Sequence, residues 1–238
     1  MTTIKENLAS IKQRIDAATH KNQRATDEIT LVAVSKTKPI TLIDDAINAG
    51  KRVFGENYLQ EGVDKIAHFN ATEIGHELVW HFIGPLQSNK TKLVAENFAW
   101  MHTVSREKIA RRLSEQRPAT MPALNILMQI NIGNEETKSG ITPAELLPLA
   151  DKIATLPRLC LRGIMVIPAP QTDPQKQLAV FKEVQALFHD LKAHYPQVDT
   201  ISMGMTDDME SAIAAGSTMV RIGTAIFGAR AKQERYKS

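Results

Sequence analysis

The sequence has little that would cross-link the chain or hold it in a membrane. Among its 238 residues there is one cysteine, Cys160, so an intramolecular disulfide is excluded and a reducing compartment is expected. No apolar run approaches the length of a membrane span, and the N-terminal segment MTTIKENLASIKQRID is charged in nearly every turn, unlike a secretory signal. These absences predict a cytoplasmic protein with no membrane partner. The leucines on either side of Cys160 predict that its thiol is buried and unreactive.

A large excess of one charge is also missing. The 29 basic and 26 acidic residues leave a formal net charge of +3, which is too small to indicate nucleic acid or an anionic membrane as partner. The one basic cluster lies in the C-terminal tail and consists of Arg230, Lys232, Arg235 and Lys237. A solvated tail is the interpretation that we favour for it.

What the sequence does contain is a repeated alternation of strand-like and helix-like segments. Ile4, Leu8, Ile11 and Ile15 recur at helical spacing and predict an amphipathic helix at the start. Eight apolar segments of strand length follow, at 29–35, 52–56, 80–84, 98–103, 123–131, 159–167, 199–203 and 218–223. Each of them except the last is followed by a predicted helix.

Strands that alternate with helices indicate right-handed βαβ units and a parallel sheet. Eight such units in a chain close to the roughly 250 residues of a (β/α)8 TIM barrel favour one closed barrel domain, residues 1–238. No G-x-G-x-x-G motif follows the first strand, which weakens the alternative of an open dinucleotide-binding sheet. Pro148, inside the helix expected between Thr142 and Ala154, predicts a late helix start or a kink.

Ligand sites of such barrels lie at the C-terminal ends of the strands, and the first strand ends at Lys36. Apolar walls that partly desolvate a lysine lower its amine pKa and make it a nucleophile toward an aldehyde. The alternative is a strand-end lysine that reaches into solvent. The neighbouring Lys38 is expected to be solvated.

The loops after the seventh and eighth strands are the usual phosphate site of this fold. They contain five residues that suit an anion, namely Ser202, Gly204, Thr206, Gly223 and Thr224. The helix predicted to begin at Asp207 would add free N–H groups and a positive dipole end. Ordinary turn glycines, with Thr206 or Asp207 as a helix cap, are the alternative explanation of the same residues. An aldehyde-capturing lysine opposite a phosphate site suggests pyridoxal 5'-phosphate, the common phosphorylated aldehyde.

Arg221 lies two residues before Gly223, so strand alternation places both on the same side. Arginine keeps its proton at physiological pH. If Arg221 faces the pyridine nitrogen, that nitrogen stays unprotonated and the ring is a weaker electron sink. A salt-bridged arginine of the barrel is the other interpretation.

Several segments resemble the YggS/PROSC family of pyridoxal phosphate homeostasis proteins. They are LVAVSKTKP, FGENYLQE, WHFIGPLQSNK, LRGIMVIP and SMGMTDDMESAIAAGSTMVRIGTAIFGAR, and the match runs from Ile29 to Arg230. The resemblance implies a fold similar to the N-terminal barrel domain of bacterial alanine racemase. It also implies that pyridoxal 5'-phosphate is held as a Schiff base on Lys36.

The same resemblance implies roles for further residues. Arg221 would face the pyridine nitrogen. The phosphate would contact Ser202, Gly223 and Thr224, with Thr206 as a further candidate. The ring pocket would be lined by Asn57 and His81, with Met165 packed near it.

An amino-acid racemase is the enzymatic alternative. A two-base racemase needs a proton acceptor on each face of the substrate α-carbon, and Lys36 could serve one face. The racemases bring a tyrosine from a second domain for the other face. The tyrosines here are Tyr58, Tyr195 and Tyr236, and the sequence aims none of them at the ring. Tyr195 is expected to close a long outer helix.

The first hypothesis is therefore a non-catalytic protein that holds, buffers and transiently delivers pyridoxal 5'-phosphate to apoenzymes, as a monomer or weak homodimer. The second is a pyridoxal phosphate-dependent racemase whose partner subunit covers the site. A metal- or NAD-dependent barrel enzyme is disfavoured, because no cluster of His, Asp and Glu with ligand spacing occurs at the strand ends.

Overall fold

The computed structural model describes residues 1–133, 136 and 139–229, and the basic tail that begins at Arg230 lies outside this range. Within it, eight strands form a closed barrel in chain order. They are β1 Thr30–Val34, β2 Val53–Glu56, β3 Val79–Phe82, β4 Trp100–Val104, β5 Leu124–Ile130, β6 Leu159–Val166, β7 Thr200–Ser202 and β8 Met219–Ile222. The last strand pairs in parallel with the first, with Val32 beside Arg221. The predicted (β/α)8 barrel is confirmed, and the open sheet is wrong.

Helices surround the barrel on the outside. They are α1 Ile4–Lys21, α2 Ile40–Asn48, α3 Leu59–Asn70, α4 Thr91–Asn97, α5 Glu107–Gln116, α6 Leu146–Ala154, α7 Pro174–His194, α8 Met209–Ala214 and α9 Thr224–Phe227. The expectation that no helix follows the last strand is wrong, because α9 forms one turn there. None of the helices in the described residues is long and apolar enough to pass through a membrane.

The N-terminal helix α1 packs on the outside of the barrel, against α2, α8 and α9, near the place where the first and last strands pair. Thr3 caps it by accepting a hydrogen bond from the Glu6 N–H at 3.1 Å. Its apolar face buries Ile11 and Ile15 in the common core. The Asn7 amide donates to the Ile226 carbonyl of α9 at 2.8 Å, which attaches α1 to the end of the barrel strand that carries Arg221.

Several local expectations need correction. The helix expected from Asp207 begins at Met209, since the Asp208 side chain accepts from the Met205 N–H at 2.7 Å and closes a turn before it. Cys160 is half-buried rather than buried. Pro148 is the third residue of α6, in the first turn, where its missing N–H has no intrahelical partner to lose. The late helix start is thus the correct one of the two expectations for Pro148.

Two predicted helix starts also move, and both displacements are small. Ser88 begins a 3-10 turn, and α4 starts three residues later at Thr91. The helix expected from Ser105 begins at Glu107. Neither helix has a side-chain cap at its first turn, so the cap signals in the sequence pointed to nearby turns.

Candidate functional site

Lys36 lies directly beyond the C-terminal end of β1, as predicted. It is half-buried, in the turn that begins two residues after Val34, the last residue of β1. Val32 is the register partner of Arg221, so Arg221 lies on the strand adjacent to the one that leads to Lys36. Lys38, which was expected to be solvated, is half-buried, and its Nζ makes exposed hydrogen bonds to the carbonyls of Gly228 and Ala229 at 2.9 Å each, which hold the segment after α9.

Arg221 is buried inside the barrel, with 3% of its surface exposed. Its guanidinium donates to the Ser202 hydroxyl and, at 3.0 Å, to the Val166 carbonyl. Burial lowers the pKa of Arg221 to about 10, opposed by the negative charge of Asp208, so the side chain is a cation at neutral pH. In the part of the chain that the structure describes, no carboxylate forms an ion pair with Arg221. The salt-bridged interpretation of this residue is therefore wrong.

A chain of buried polar side chains leads from Arg221 across the barrel interior. The Ser202 hydroxyl lies 3.0 Å from His102 Nδ1, and His102 Nε2 lies 2.8 Å from His81 Nδ1. Arginine only donates, so the Ser202 oxygen accepts from it, and we assign the hydroxyl proton to the bond with His102 Nδ1 because no other acceptor among the described residues bonds to it. His102 then carries its proton on Nε2 and donates to His81, whose proton sits on Nε2.

The two histidines of this hydrogen-bonded chain, His81 and His102, are neutral at neutral pH. Burial lowers the pKa of His81 to about 3, with a smaller contribution from the charge of Lys51. Burial also lowers the pKa of His102 well below its ordinary value, helped by His81 and Arg221. Arg221 is therefore the one charged side chain among these four hydrogen-bonded residues, and its partners Ser202, His102 and His81 are neutral. His81 is 1% exposed and stacks on Trp100 at 5.1 Å between ring centroids, so its predicted contact with a ring ligand stays a prediction.

The sequence interpretation missed His102. It lies on β4, two residues after Trp100, and alternation puts both on one face of the strand. The sequence feature that could have identified His102 is a polar residue two positions after Trp100 in a largely apolar strand. The bond to Ser202 joins residues 100 positions apart, which no local pattern reveals.

The two expected phosphate loops differ in how open they are. At the end of β7, the Ser202 hydroxyl already forms hydrogen bonds with Arg221 and His102. Gly204 has φ +106°, and a Cβ on it would lie 2.8 Å from the Ala212 side chain, so packing against α8 already requires this glycine. The Thr206 carbonyl accepts from Arg14 at 2.7 Å.

The loop after β8 is more exposed to solvent than the segment at the end of β7, where Ser202 and Gly204 are buried. Gly223 and the exposed Thr224 begin the short helix α9. A Cβ on Gly223 would lie 3.2 Å from the Val34 carbonyl oxygen, so this turn lies directly against the end of the strand that leads to Lys36. A short extra helix at this position is a common phosphate-binding element of the fold.

Asn57 follows β2 at the same end of the barrel. Its Oδ1 is buried, and no described residue donates a hydrogen bond to it. A buried acceptor without a partner costs free energy, so this atom suits a polar ligand. Met165 is fully buried beside Ser202 in the strand register, and its predicted packing against a ring stays a prediction. The described residues contain no group of three or more His, Cys, Asp and Glu side chains that could hold a metal ion.

Known proteins share this barrel and its length. The family model described as "Alanine racemase, N-terminal domain" matches residues 3–231. The pyridoxal phosphate homeostasis protein of Escherichia coli strain K12 is 59% identical over 231 residues, which cover 97% of this chain and 98% of that protein. The chain belongs to the YggS/PROSC family.

Solved structures extend the family comparison. PipY of Synechococcus elongatus PCC7942, determined with PLP bound, is 32% identical with a TM-score of 0.80, over 95% of this chain and 100% of PipY. Alanine racemase of Clostridium difficile 630 is 13% identical with a TM-score of 0.75, over 99% of this chain and 59% of the racemase. The racemase therefore shares the barrel fold, and at this identity the likeness concerns the fold alone.

Proposed function

We propose that this chain is a pyridoxal 5'-phosphate-binding protein of vitamin B6 and amino-acid homeostasis that holds its cofactor covalently on Lys36. One observation carries the proposal: Lys36 follows the end of β1, which lies directly against the Gly223–Thr224 turn and beside the strand of the buried cation Arg221. When bound, the cofactor supplies an electrophilic aldehyde carbon for a primary amine. The high identity to a pyridoxal phosphate homeostasis protein and the PLP-bound relative support the same assignment.

The residues of the site divide into three proposed tasks. Gly223 and Thr224 hold the phosphate, and Ser202 at the end of β7 shapes the opposite side of that subsite together with the loop residues Gly204 and Thr206. Arg221 donates toward the pyridine nitrogen. Asn57, His81 and Met165 line the ring pocket, where the unpartnered Asn57 oxygen is available to a donor on the ligand. Because Arg221 keeps its proton, the ring remains a weak electron sink, which favours retention of the cofactor over carbanion chemistry.

We propose that the protein is not a racemase. Tyr58 is 49% exposed and precedes α3, while Tyr195 donates its hydroxyl to Asp151 on the outer helices. Tyr236 lies outside the described residues. The neutral, buried His81 and His102 accept hydrogen bonds from within their own chain, so neither serves as a second base. We further propose a cytoplasmic carrier that delivers the cofactor transiently to apoenzymes, as a monomer or weak homodimer.

Borohydride reduction of the cofactor-loaded protein, followed by peptide mapping, tests the assignment of Lys36. The expected result is a pyridoxyl adduct on the peptide that contains Lys36, and loss of yellow colour in Lys36→Ala. Lys38→Ala is the matched control, because this lysine lies two residues away and bonds to backbone carbonyls. An adduct that persists in Lys36→Ala would refute the proposal.

Racemase activity is the second candidate, and the match to the alanine racemase N-terminal domain favours it. Incubation of the holo-protein with L- and D-alanine or serine, followed by chiral chromatography, separates the two. We expect no turnover above the rate of free pyridoxal 5'-phosphate. Sustained racemisation that disappears in Lys36→Ala would establish an enzyme instead.

A further inference from the structure

The backbone around Lys36 is held on both sides by side chains from outside the barrel wall. The Ser35 carbonyl accepts from Lys65 Nζ at 2.7 Å, and the Thr37 N–H donates to Glu61 Oε1 at 2.6 Å. These two groups belong to the two peptide units that flank the Lys36 Cα. Peptide units are planar, so holding both of them determines the direction in which the Lys36 side chain leaves the backbone.

Lys65 and Glu61 also bond to each other, one turn apart on α3, at 2.7 Å. Lys65 donates its third hydrogen bond to Glu56 at 2.7 Å, and Glu56 accepts from the Ser35 hydroxyl at 2.8 Å. An ammonium group has three donors, and each of the three has an acceptor here. Lys65 is 5% exposed, so its ammonium group, with all three donors used, is held away from bulk water, while the Glu61 side chain is 29% exposed.

The conformation of Thr37 shows that the loop needs this support. Thr37 has φ +63°, in the left-handed region that a β-branched residue rarely adopts. The bond from its N–H to Glu61 offsets part of that cost. Without Glu61, the peptide between Lys36 and Thr37 is free to rotate toward a relaxed conformation.

We propose that the Lys65–Glu61 pair is a positioning device for Lys36, which presents the Lys36 amine to the aldehyde of the bound cofactor. The inference rests on the proposed role of Lys36. We expect neither Lys65 nor Glu61 to touch the cofactor, because their side chains extend from α3 to the outside of the barrel wall. Their effect is on geometry: covalent capture, in which the amine nitrogen would replace the aldehyde oxygen and water would leave, requires the amine to be held near the aldehyde carbon, and a displacement of about 1 Å costs on the order of a hundredfold in such steps.

A positioning role predicts a selective defect. Pyridoxal 5'-phosphate binds through its phosphate, its ring and the covalent bond to Lys36. The analogue 4'-deoxypyridoxine 5'-phosphate has the same phosphate and ring but no aldehyde, so it binds without that bond. Loss of positioning lowers the affinity for pyridoxal 5'-phosphate and leaves the affinity for the deoxy analogue unchanged. General damage to the pocket lowers both affinities.

The experiment compares Glu61→Ala with Asp64→Ala in the full chain. Asp64 is an exposed carboxylate on the same helix that bonds to Gln60, so its removal matches the loss of charge without touching Thr37. In Glu61→Ala we expect pyridoxal 5'-phosphate affinity and the rate of borohydride-trappable capture to fall about tenfold, with analogue affinity unchanged. Asp64→Ala should behave as wild type. Glu61→Gln, whose amide oxygen can still accept from Thr37, should recover most of the loss.

A second variant keeps the test decisive if Glu61→Ala does not fold. The double change Glu56→Gln with Lys65→Met removes the ammonium group and its buried counter-charge together, and the same selective loss is expected. Equal loss of both ligands, or no loss of either, would overturn the positioning role. Absence of a Lys36 adduct in the wild-type protein would instead refute the proposed function, so the two failures are distinct.

Discussion

Two buried polar clusters lie on opposite sides of the barrel wall, and they differ in charge. The interior chain of His81, His102 and Ser202 is neutral and leads to the single cation Arg221. The outer cluster, by contrast, surrounds the Lys65 ammonium with the carboxylates of Glu56 and Glu61. The outer ammonium is paired with two carboxylates and bonds to the backbone of Ser35, whereas no carboxylate of the described residues pairs with the interior cation. Breaking each cluster should therefore have different consequences.

The largest effect is expected from Lys65→Met. This change leaves the fully buried Glu56 without its cation, and removal of one partner of a buried pair costs about 3–5 kcal/mol of unfolding free energy. Burial already raises the pKa of Glu56, and the loss of Lys65 raises it further. A raised carboxyl pKa means that the folded state binds a proton more tightly than the unfolded state. The variant should therefore be least stable above the folded pKa and regain stability as pH falls toward 4.5.

Urea unfolding at two pH values measures this effect. The Glu56→Gln and Lys65→Met double variant is the matched control and should recover most of the loss at neutral pH. A single variant as stable as wild type at pH 8 would show that Glu56 does not depend on Lys65.

The next effect is expected from His102→Leu in the interior chain. The Ser202 hydroxyl and His81 Nδ1 lose their partner, which costs about 2 kcal/mol or more for two buried polar groups. Arg221 also loses the ordered acceptor that holds it, so cofactor affinity should fall while the Lys36 adduct still forms. Denaturant titration and equilibrium binding measure the two quantities. His68→Leu, at an exposed position on α3, should change neither.

A smaller effect is the pH dependence that the interior histidines impose on the wild type. The pKa of His81 is about 3 in the folded state, against 6.5 without burial, so below pH 6.5 the unfolded state binds protons that the folded state does not. Stability is then full above pH 6.5 and falls as pH decreases below it, by up to about 1.4 kcal/mol per pH unit for His81, so the loss over the first pH unit is smaller than the cost of His102→Leu. His102→Leu should show a shallower slope between pH 6.5 and 5. An unchanged slope in that variant would mean that His102 is protonated when folded.

The smallest effect is expected from Glu77→Gln, which breaks a surface ion pair with Arg52 at 3.0 Å. Both side chains are substantially exposed, so the change in unfolding free energy should be at most about 0.5 kcal/mol. Thermal unfolding at low and high salt is the measurement. A loss as large as that in Lys65→Met would remove the distinction between buried and exposed pairs.

Much of the barrel was predictable because its signals are local. The eight apolar segments and the helical spacing of Ile4, Leu8, Ile11 and Ile15 lie within one element each, and the structure places strands and helices there. The residues at which the helices begin were less predictable. Asp208 forms a turn where a helix was expected to have begun, because its carboxylate bonds to a backbone N–H before the helix rather than within it.

The candidate site was only partly predictable. Lys36 and Arg221 followed from strand ends and motifs, but His102, Glu61 and Lys65 were missed. Lys65 looks in the sequence like an exposed helical lysine of an i, i+4 pair with Glu61. It is buried because α3 packs over the end of β1 and brings the Ser35 carbonyl within hydrogen-bonding distance. Such a contact links residues 30 positions apart and leaves no periodic signal.

By itself, the sequence determined which residues face inward, because strand alternation and helical periodicity are properties of consecutive residues. It thereby determined that Lys36 follows an apolar strand and that Arg221 lies on the inward side of the last one. The tertiary structure alone decided which inward residues meet. Closure of the barrel pairs β8 with β1 and brings Ser202 of β7 to His102 of β4, since the tilt and stagger of the strands set those contacts. The closed barrel therefore surrounds Arg221 with neutral partners, and the packing of α3 holds the backbone of Lys36.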